Sequence, residues 1–242
     1  MNKRMIFGIP NPFPGAFIAV EGIDGSGKST QLRLMTHWAE NWVIRNRGGI
    51  PMNPRPQVFV TQEPDPMTRF GCMIHEDLAR GRDGLHHTDP ASFQTWYALE
   101  SKERMKRVVR RQLEFGNIVL SDRCRLSMVY GIRDSSKWED ELVTLLDMNW
   151  AIMGEDFIWP DHIRLLDVSV DEALVRMRAA DKQADGHEHR EKLQEVRSSY
   201  LRMDQVRACN IHVTNLRNTP EEVFSHGEIL FGNILRRKYL RS

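Results

Sequence analysis

Eight consecutive residues, from Gly22 to Ser29, read Gly-Ile-Asp-Gly-Ser-Gly-Lys-Ser and fit the pattern of a phosphate-binding P-loop. The pattern requires a strand before it and a helix after it. An apolar run of strand formers at 16–20 and an amphipathic segment from Thr30 onwards meet both requirements. The glycines allow a tight turn whose backbone N–H groups point at one anion, and the helix N-terminus adds further donors. The sequence therefore predicts a binding site for a nucleoside triphosphate.

The P-loop pattern also gives its side chains distinct roles. Lys28 can bring a positive charge to the β- and γ-phosphates of the nucleotide, and the hydroxyl of Ser29 can ligate Mg²⁺. We therefore expect a nucleoside triphosphate and Mg²⁺ to bind together; the family resemblance given below implies that the nucleotide is ATP. The residues expected to contact it are Gly22, Ile23, Asp24, Gly25, Ser26, Gly27, Lys28, Ser29 and Thr30.

The composition argues against several classes of function. The 242 residues carry a net charge of +1, which gives no global attraction to nucleic acid or to an anionic membrane. No segment is long and apolar enough to span a membrane, and the start of the chain is too broken by prolines for a signal peptide. The three cysteines lie far apart without a metal-binding spacing, which favours a reducing compartment. We expect a cytoplasmic protein without nucleic-acid or membrane partners.

Strand and helix patterns alternate along the chain, which is typical of an α/β fold with a parallel sheet. The expected strands cover 16–20, 57–61, 117–121, 162–168 and 210–214. We predict a P-loop NTPase three-layer sandwich, with a five-stranded parallel sheet and helices on both faces. Residues 1–15 are expected to form an irregular N-terminal arm, and residues 16–242 a single domain.

Local signals mark where several helices begin. Asp89 can cap a helix with Pro90 at its first position, and this helix is expected to run to about 115. Capping-box spacing recurs from Ser169 to Glu172 and from Thr219 to Glu222. A further helix is expected at about 190–207.

Charged residues follow two of the expected strands at their carboxyl ends, where ligands bind in parallel sheets. Asp122 ends the third strand and is a candidate for the metal, although an Asp at such a place can also cap a turn. Arg123 would then point its guanidinium at a phosphate oxygen in the same crevice. Glu63 ends the second strand and faces that crevice as well. The predicted catalytic residues are Lys28, Asp122 and Arg123, and the predicted metal ligands, partly through water, are Ser29 and Asp122.

A charged segment at about 179–190 has the composition of a lid. Phosphoryl transfer depends on positioning and on charge neutralisation, so a closing basic lid suits a kinase for a small substrate. The sequence lacks the Asn-Lys-x-Asp that reads guanine and the Leu-Ser-Gly-Gly-Gln of transporter ATPases. The candidate lid residues are Arg176, Arg178, Lys182 and Arg190, for each of which a solvated helix face or loop is the alternative.

Several stretches, taken in order, match one family pattern. They are Val-Glu-Gly-Ile-Asp-Gly-Ser-Gly-Lys-Ser-Thr-Gln at 20–31, Thr-Gln-Glu-Pro at 61–64, Ile-Val-Leu-Ser-Asp-Arg at 118–123 with Ser127, Leu-Asp-Val at 166–168 with Glu-Ala-Leu at 172–174, and Val-Arg-Ser-Ser-Tyr-Leu at 196–201. In this order they resemble the thymidylate kinase family of nucleoside monophosphate kinases, of which the chain looks like a divergent member.

The resemblance implies transfer of the γ-phosphate of ATP to thymidine monophosphate (dTMP), which gives the diphosphate. By this analogy Asp24 contacts the sugar of the acceptor, and Arg123 bridges the acceptor phosphate and the transferring group. The resemblance also implies a homodimer built from helices. The residues that it places at the acceptor site are Asp24, Glu63, Tyr97, Ser101, Arg123 and Ser127.

The sequence departs from the family pattern where the base of the acceptor is recognised. Counted back from Asp122, the place of the stacking aromatic residue holds Tyr97, and the place of the base-reading Arg holds Ser101. Cys124 stands where the family has Tyr, and Gln62 where it has Arg. Two other functions therefore stay open: a kinase for another nucleotide or a nucleoside, or a catalytically silent nucleotide-binding regulatory protein.

The helix before the third strand is strongly basic. We interpret it as a solvated face that in part lines the acceptor site, because the net charge is balanced and aromatic residues do not alternate with the basic ones. The basic residues are Lys102, Arg104, Lys106, Arg107, Arg110 and Arg111.

Overall fold

The computed structural model describes residues 7–50, 55–180, 186–205, 211–215 and 219–240. The strands are β1 (Ile9–Pro10), β2 (Ala16–Glu21), β3 (Val58–Gln62), β4 (Ile118–Asp122), β5 (Ile158–Trp159), β6 (His162–Asp167) and β7 (Ile211–Asn215). The helices are α1 (Lys28–Arg45), α2 (Arg69–Leu78), α3 (Leu85–Thr88), α4 (Pro90–Arg104), α5 (Arg110–Glu114), α6 (Trp138–Met153), α7 (Val170–Ala179), α8 (Gly186–Asp204) and α9 (Pro220–Tyr239).

Five strands form one sheet in the order β3-β4-β2-β6-β7, and all neighbouring pairs are parallel. The predicted five-stranded parallel sheet with helices on both faces is confirmed. Val20, Asp122 and Gln62 lie side by side in the register of β2, β4 and β3. Parallel strands end at the same edge of a sheet, so this register brings the P-loop, Asp122 and the residues after β3 together.

Alternate side chains of the central strands pack into different parts of the core, because successive residues of a strand point to opposite faces. Ile18 and Leu120 belong to the large apolar cluster that contains residues of α1 and α9. Phe17 and Val119 belong to a second cluster, with Met105, Val109, Leu113 and Ile158. The sheet is therefore covered on both faces.

The three helix starts predicted from capping residues are confirmed. Asp89 accepts a hydrogen bond from the backbone N–H of Ser92, with Pro90 as the first residue of α4. Ser169 caps α7 in the same way, and Thr219 and Glu222 form a complete capping box at α9. These caps satisfy N–H groups that have no partner within the helix.

Other elements differ from the sequence expectation. Neither α2 nor α6 was predicted, and α8 begins at Gly186 rather than near 190. The helix expected from 90 to about 115 contains a π-helical turn at Met105–Val109 between α4 and α5. Within the arm expected to be irregular, Ile9–Pro10 pairs in parallel with Ile158–Trp159. That residues 16–242 form a single domain stays a prediction.

Among the helices in the described part of the chain, we find none with the length and apolar character that crossing a bilayer requires.

Replacing Leu113 with Ala should lower the free energy of unfolding by about 2–5 kcal/mol, because a buried Leu loses its contacts and leaves a cavity. Leu113 is fully buried in the second cluster at the end of α5. Phe115→Ala is the matched control, since Phe115 is 66% exposed two residues further on. Urea unfolding should show a change below about 0.5 kcal/mol for this control. Equal losses for the two variants would contradict the assigned packing.

Candidate active site

The P-loop connects β2 to α1. Three of its glycines have positive φ angles, which other residues adopt only with strain. Gly22, Gly25 and Gly27 have φ angles of 144°, 77° and 91°. A Cβ atom on Gly25 would lie 2.4 Å from the carbonyl oxygen of Ala173, so α7 also packs too close for a side chain. The glycines therefore allow both the turn of the loop and the close packing of its backbone against α7.

Lys28 is the first residue of α1 and is buried in the loop. Its Nζ donates to the carbonyl oxygens of Gly22 (3.2 Å) and Ile23 (3.1 Å), and lies 3.7 Å from Oδ1 of Asp24. Burial, followed by the charge of Arg123, lowers the pKa of Lys28 to about 8. The amine therefore lies among the loop groups that the motif assigns to phosphate binding.

Ser29 and Asp122, the two predicted metal ligands, lie in contact. The Ser29 hydroxyl donates to Oδ2 of Asp122 over 3.2 Å. Hydroxyl and carboxylate oxygens are the type of ligand that Mg²⁺ takes together with water and substrate phosphates. The donor chemistry and the spacing therefore fit a magnesium ion held at the end of β4.

Arg123 follows Asp122 and has a φ of 69°, in the left-handed region that non-glycine residues seldom occupy. Its guanidinium donates to Oδ1 of Asp24 (2.6 Å), to the carbonyl oxygen of Gly22 (3.2 Å) and to the hydroxyl groups of Tyr130 and Tyr200. It also lies over the ring of Tyr130, 5.1 Å from the centroid. Burial lowers the pKa of Arg123, but the Tyr130 and Asp24 oxygens more than offset this and keep the pKa above its ordinary value. Strained backbone held by many partners is common at functional sites, so this place is a candidate site.

Glu21 lies beneath Arg123 and holds this part of the site in position. It accepts hydrogen bonds from the backbone N–H of Cys124 (2.9 Å), from the Ser127 hydroxyl and from the Tyr200 hydroxyl (2.8 Å). Burial raises the pKa of Glu21. Ser127, predicted at the acceptor site, thus contacts Glu21 and also accepts from Arg123 at 3.3 Å. Glu21 and Tyr200 connect α8 to the end of β4.

Glu63 lies between two buried arginines. Its two oxygens accept from Nη2 of Arg104 (2.6 Å) and from Nη1 of Arg125 (2.7 Å). Both arginines lower the pKa of Glu63 against the effect of its burial. The Glu63–Pro64 peptide bond is cis. The carboxylate of Glu63 is thus held by two ion pairs, and its place in the acceptor site stays a prediction.

A second buried carboxylate, Glu100, lies beside this pair. One of its oxygens accepts from the backbone N–H of Asp65 at 3.0 Å and is 3.6 Å from Nε of Arg104. Burial raises the pKa of Glu100 to about 7, although the charge of Arg104 opposes the shift. Glu100 therefore changes its charge near neutral pH.

Tyr97 and Ser101 occupy one side of α4, one turn apart. Tyr97 packs edge-to-face on Phe93, with ring centroids 5.3 Å apart. Burial raises the pKa of Tyr97 to about 12, and the charges of Arg123, Glu63, Arg125 and Asp24 also act on its hydroxyl. Ser101 is fully buried. That Tyr97 and Ser101 line the acceptor site stays a prediction.

The three candidate lid arginines that the structure describes differ in their distance from the P-loop and in their partners. Arg176 bonds to Glu172 on α7 at 3.0 Å, and its guanidinium lies 3.9 Å from where a Cβ on Gly27 would be. Arg178 is exposed, and Arg190 pairs with Asp171 at 2.6 Å. Arg176 alone of these three is seen next to the P-loop. The expectation for Lys182 falls outside the described residues.

The basic helix differs from its prediction as a solvated face. Lys106, Arg107 and Arg111 are exposed, but Arg104 is 1% exposed and forms part of the cluster around Glu63. The sequence analysis did not single out Arg125. The available signal was a charged residue between Cys124 and Leu126, shortly after a buried strand.

Comparison with known proteins gives one consistent result. A family model described as thymidylate kinase matches residues 20–226. The chain is 31% identical over 192 residues to a probable thymidylate kinase of Thermococcus kodakarensis, which covers 77% of this chain and 83% of the relative. It is 31% identical over 214 residues to a thymidylate kinase of Thermosipho melanesiensis, with coverage of 86% and 94%. A probable thymidylate kinase of Thermococcus gammatolerans is 29% identical over 214 residues, with coverage of 86% and 92%.

Replacing Glu100 with Gln should remove a pH-dependent loss of stability. Because the folded-state pKa of about 7 lies above the ordinary value of 4.5, the folded chain holds a proton that the unfolded chain releases between these pH values. The wild-type free energy of unfolding should therefore fall, relative to the variant, as pH rises from 4.5 to 7, and level off above. The difference is at most about 3 kcal/mol.

Chemical denaturation of both proteins at pH 5, 6, 7 and 8 measures this difference. Glu103→Gln, on the same helix but partly exposed, is the matched control. A constant difference between Glu100→Gln and wild type across this pH range would contradict the prediction.

Proposed function

The chain belongs to the thymidylate kinase family, and from this premise we propose that it transfers the γ-phosphate of ATP to dTMP and forms dTDP. One observation carries the proposal most directly. The guanidinium of Arg123 contacts both the P-loop, at the Gly22 carbonyl, and Asp24, the residue assigned to the acceptor sugar. A cation at this junction suits a reaction in which charge develops between two phosphates.

The donor half of the site follows the P-loop. The loop N–H groups and Lys28 would bind the β- and γ-phosphates of ATP, and Ser29 and Asp122 would hold Mg²⁺. When bound, the metal neutralises charge on the phosphate oxygens. Lys28 would exchange its bonds to the carbonyls of Gly22 and Ile23 for phosphate oxygens. Phosphate binding would favour the protonated amine, whose pKa burial has lowered.

The acceptor half lies between β4 and α4. We assign Arg123 to the acceptor phosphate, Asp24 to the sugar and the ring of Tyr97 to stacking on the base. Ser127 would act through Arg123 and Glu21, since its hydroxyl is bonded to both. Glu63 would act by holding Arg125 in place. These roles rest on the family resemblance and on the contacts of Arg123 with Asp24 and Ser127.

An acceptor other than dTMP is the second candidate. It is favoured by Ser101, a short hydroxyl at the place where the family has a base-reading Arg. A silent regulatory protein is less well supported, because Lys28, Ser29, Asp122 and Arg123 lie together at one edge of the sheet.

We also propose a homodimer that binds no nucleic acid, on the family resemblance and the balanced charge. Sedimentation equilibrium at the mass of one chain would rule out the dimer.

The proposed function is tested by ATP consumption with Mg²⁺ across dTMP, dUMP, dCMP, dGMP and thymidine. We expect dTMP to be the preferred acceptor, and Lys28→Ala to lower kcat by at least about 100-fold, because a buried charge on the phosphates is lost. Lys137→Ala is the matched control, since Lys137 is exposed and outside the site. Turnover in Lys28→Ala equal to that of the control would overturn the assigned active site. Preference for another acceptor would reassign the substrate.

Within the proposed lid, Arg176 and Arg178 form a matched pair on α7. Arg176→Ala should lower kcat by at least about tenfold, because its guanidinium is next to Gly27 and can reach the transferring phosphate. Arg178→Ala should leave kcat within a factor of about two, as surface substitutions usually do. Steady-state kinetics at saturating ATP and dTMP provides the measurement. Equal effects of the two substitutions would show that neither position is special.

A further inference from the structure

Tyr200 brings a hydroxyl group from α8 to the end of β4, where Arg123 lies. The residue is 1% exposed, and its ring packs edge-to-face on Tyr130 with the ring centroids 6.2 Å apart. The hydroxyl donates to Oε2 of Glu21 (2.8 Å) and accepts from Nη1 of Arg123 (3.2 Å). It therefore stands between a buried carboxylate and the cation that the proposed function assigns to the acceptor phosphate.

The carboxylate and the guanidinium are close but not in direct contact. Oε2 of Glu21 and Nη1 of Arg123 are 3.7 Å apart, whereas a hydrogen bond between such charged groups usually measures about 2.8 Å. Opposite charges attract each other more strongly where water is excluded, and the side chain of Glu21 is fully buried. The two groups would therefore close on each other unless other atoms kept them apart.

The contacts of Glu21 are those of an ionised carboxylate. The backbone N–H of Cys124 (2.9 Å) and the hydroxyls of Ser127 (3.0 Å) and Tyr200 all donate to its oxygens. An ionised carboxylate only accepts, so it matches these donors, whereas a protonated acid would add a further donor among them. Burial raises the pKa of Glu21, and the charge of Arg123 opposes that rise. Glu21 thus supplies a negative charge that attracts the guanidinium.

A bidentate ion pair fixes the helix that carries Tyr200. Arg197, on the same side of α8, donates from Nε (2.6 Å) and Nη2 (2.9 Å) to the two oxygens of Asp167 at the end of β6. Pairs of this type set the geometry of both partners. The position of the Tyr200 hydroxyl therefore depends on α8 and β6, and it does not follow Arg123 when that side chain moves.

Ser127 supplies a second hydroxyl at the same place, but from a different element. It accepts from Arg123 at 3.3 Å and donates to Glu21. Ser127 belongs to the 3₁₀ segment Arg125–Gly131, which begins two residues after Arg123. It can therefore shift together with Arg123, whereas Tyr200 is held from outside this segment.

We propose that Tyr200 is a positioning residue for phosphoryl transfer, whose hydroxyl keeps Arg123 from pairing directly with Glu21 and so keeps the guanidinium at Asp24 and the phosphates. This inference rests on the proposed function and adds to it the group that places the cation. Closure of the pair would move Nη1 by about 1 Å, and a displacement of this size can cost about 100-fold in rate.

Tyr200→Phe removes the hydroxyl and keeps the ring. We expect kcat to fall roughly 10- to 100-fold, while KM for ATP stays within about twofold because Lys28 keeps its contacts. Tyr239→Phe is the matched control, since Tyr239 is equally buried and its hydroxyl accepts from the backbone N–H of Ala16 (2.9 Å) at the opposite edge of the sheet. The control should leave kcat within about twofold. Equal losses in the two variants would overturn the role of Tyr200.

A double-mutant cycle with Glu21→Gln separates this role from a merely structural one. Glu21→Gln removes the charge that attracts Arg123 and keeps an oxygen that accepts hydrogen bonds. Once Glu21→Gln is present, adding Tyr200→Phe should change kcat by less than about threefold, because no carboxylate then draws Arg123 away. A hydroxyl that only stiffens the site would cost the same factor with and without Glu21→Gln, and that result would overturn the proposal.

The crystal structure of Tyr200→Phe tests the displacement without turnover. We expect the distance between Nη1 of Arg123 and Oε2 of Glu21 to shorten from 3.7 Å to about 2.8 Å. An unchanged distance would overturn the role of Tyr200, whatever the kinetics. A shortened distance, together with a wild type that phosphorylates none of the acceptors, would overturn the proposed function and support the role of Tyr200 in placing Arg123.

Discussion

The hydrogen-bond register of the parallel sheet is the constraint on which the rest of this structure depends. Because Val20, Asp122 and Gln62 are aligned across three strands, their carboxyl ends meet at one edge. The chain leaves β2 into the P-loop, β4 into Arg123 and β3 into Glu63. A slip of one residue in a strand would turn each of its side chains to the other face of the sheet. Register therefore fixes which charged groups can meet.

The charges gathered at this edge would be costly if they stood alone. Burying an ion pair often brings no net stability, since desolvation offsets the attraction between the charges. Here two buried carboxylates have several partners each: Glu63 pairs with Arg104 and Arg125, and Glu21 accepts from Tyr200 and its neighbours. Such networks hold their members in one arrangement. We regard fixed orientation at the site, rather than stability, as what these buried charges provide.

Much of the fold and of the donor site followed from the sequence, because the relevant signals are local. The P-loop is a run of eight residues, and its glycines lie at the positive φ angles that the turn requires. Helix caps such as Asp89 and Thr219 are read within four residues. By contrast, α2 and α6 were missed although Thr68 caps α2, and their packing against α4 is long-range. The burial of Arg104 followed from its pairing with Glu63, a residue 41 positions away that no helical pattern includes.

The sequence by itself determined that the chain has a P-loop, a parallel α/β sheet, and Asp122 and Arg123 at the end of a central strand, because each of these depends on neighbouring residues or on simple alternation. Only the tertiary structure decided that Arg125 and Glu63 meet, since 62 positions of sequence separate them. It also decided that Arg104 and Arg125 both contact Glu63. The physical reason is that the partners of buried polar groups come from several elements and are set by packing rather than by any local pattern.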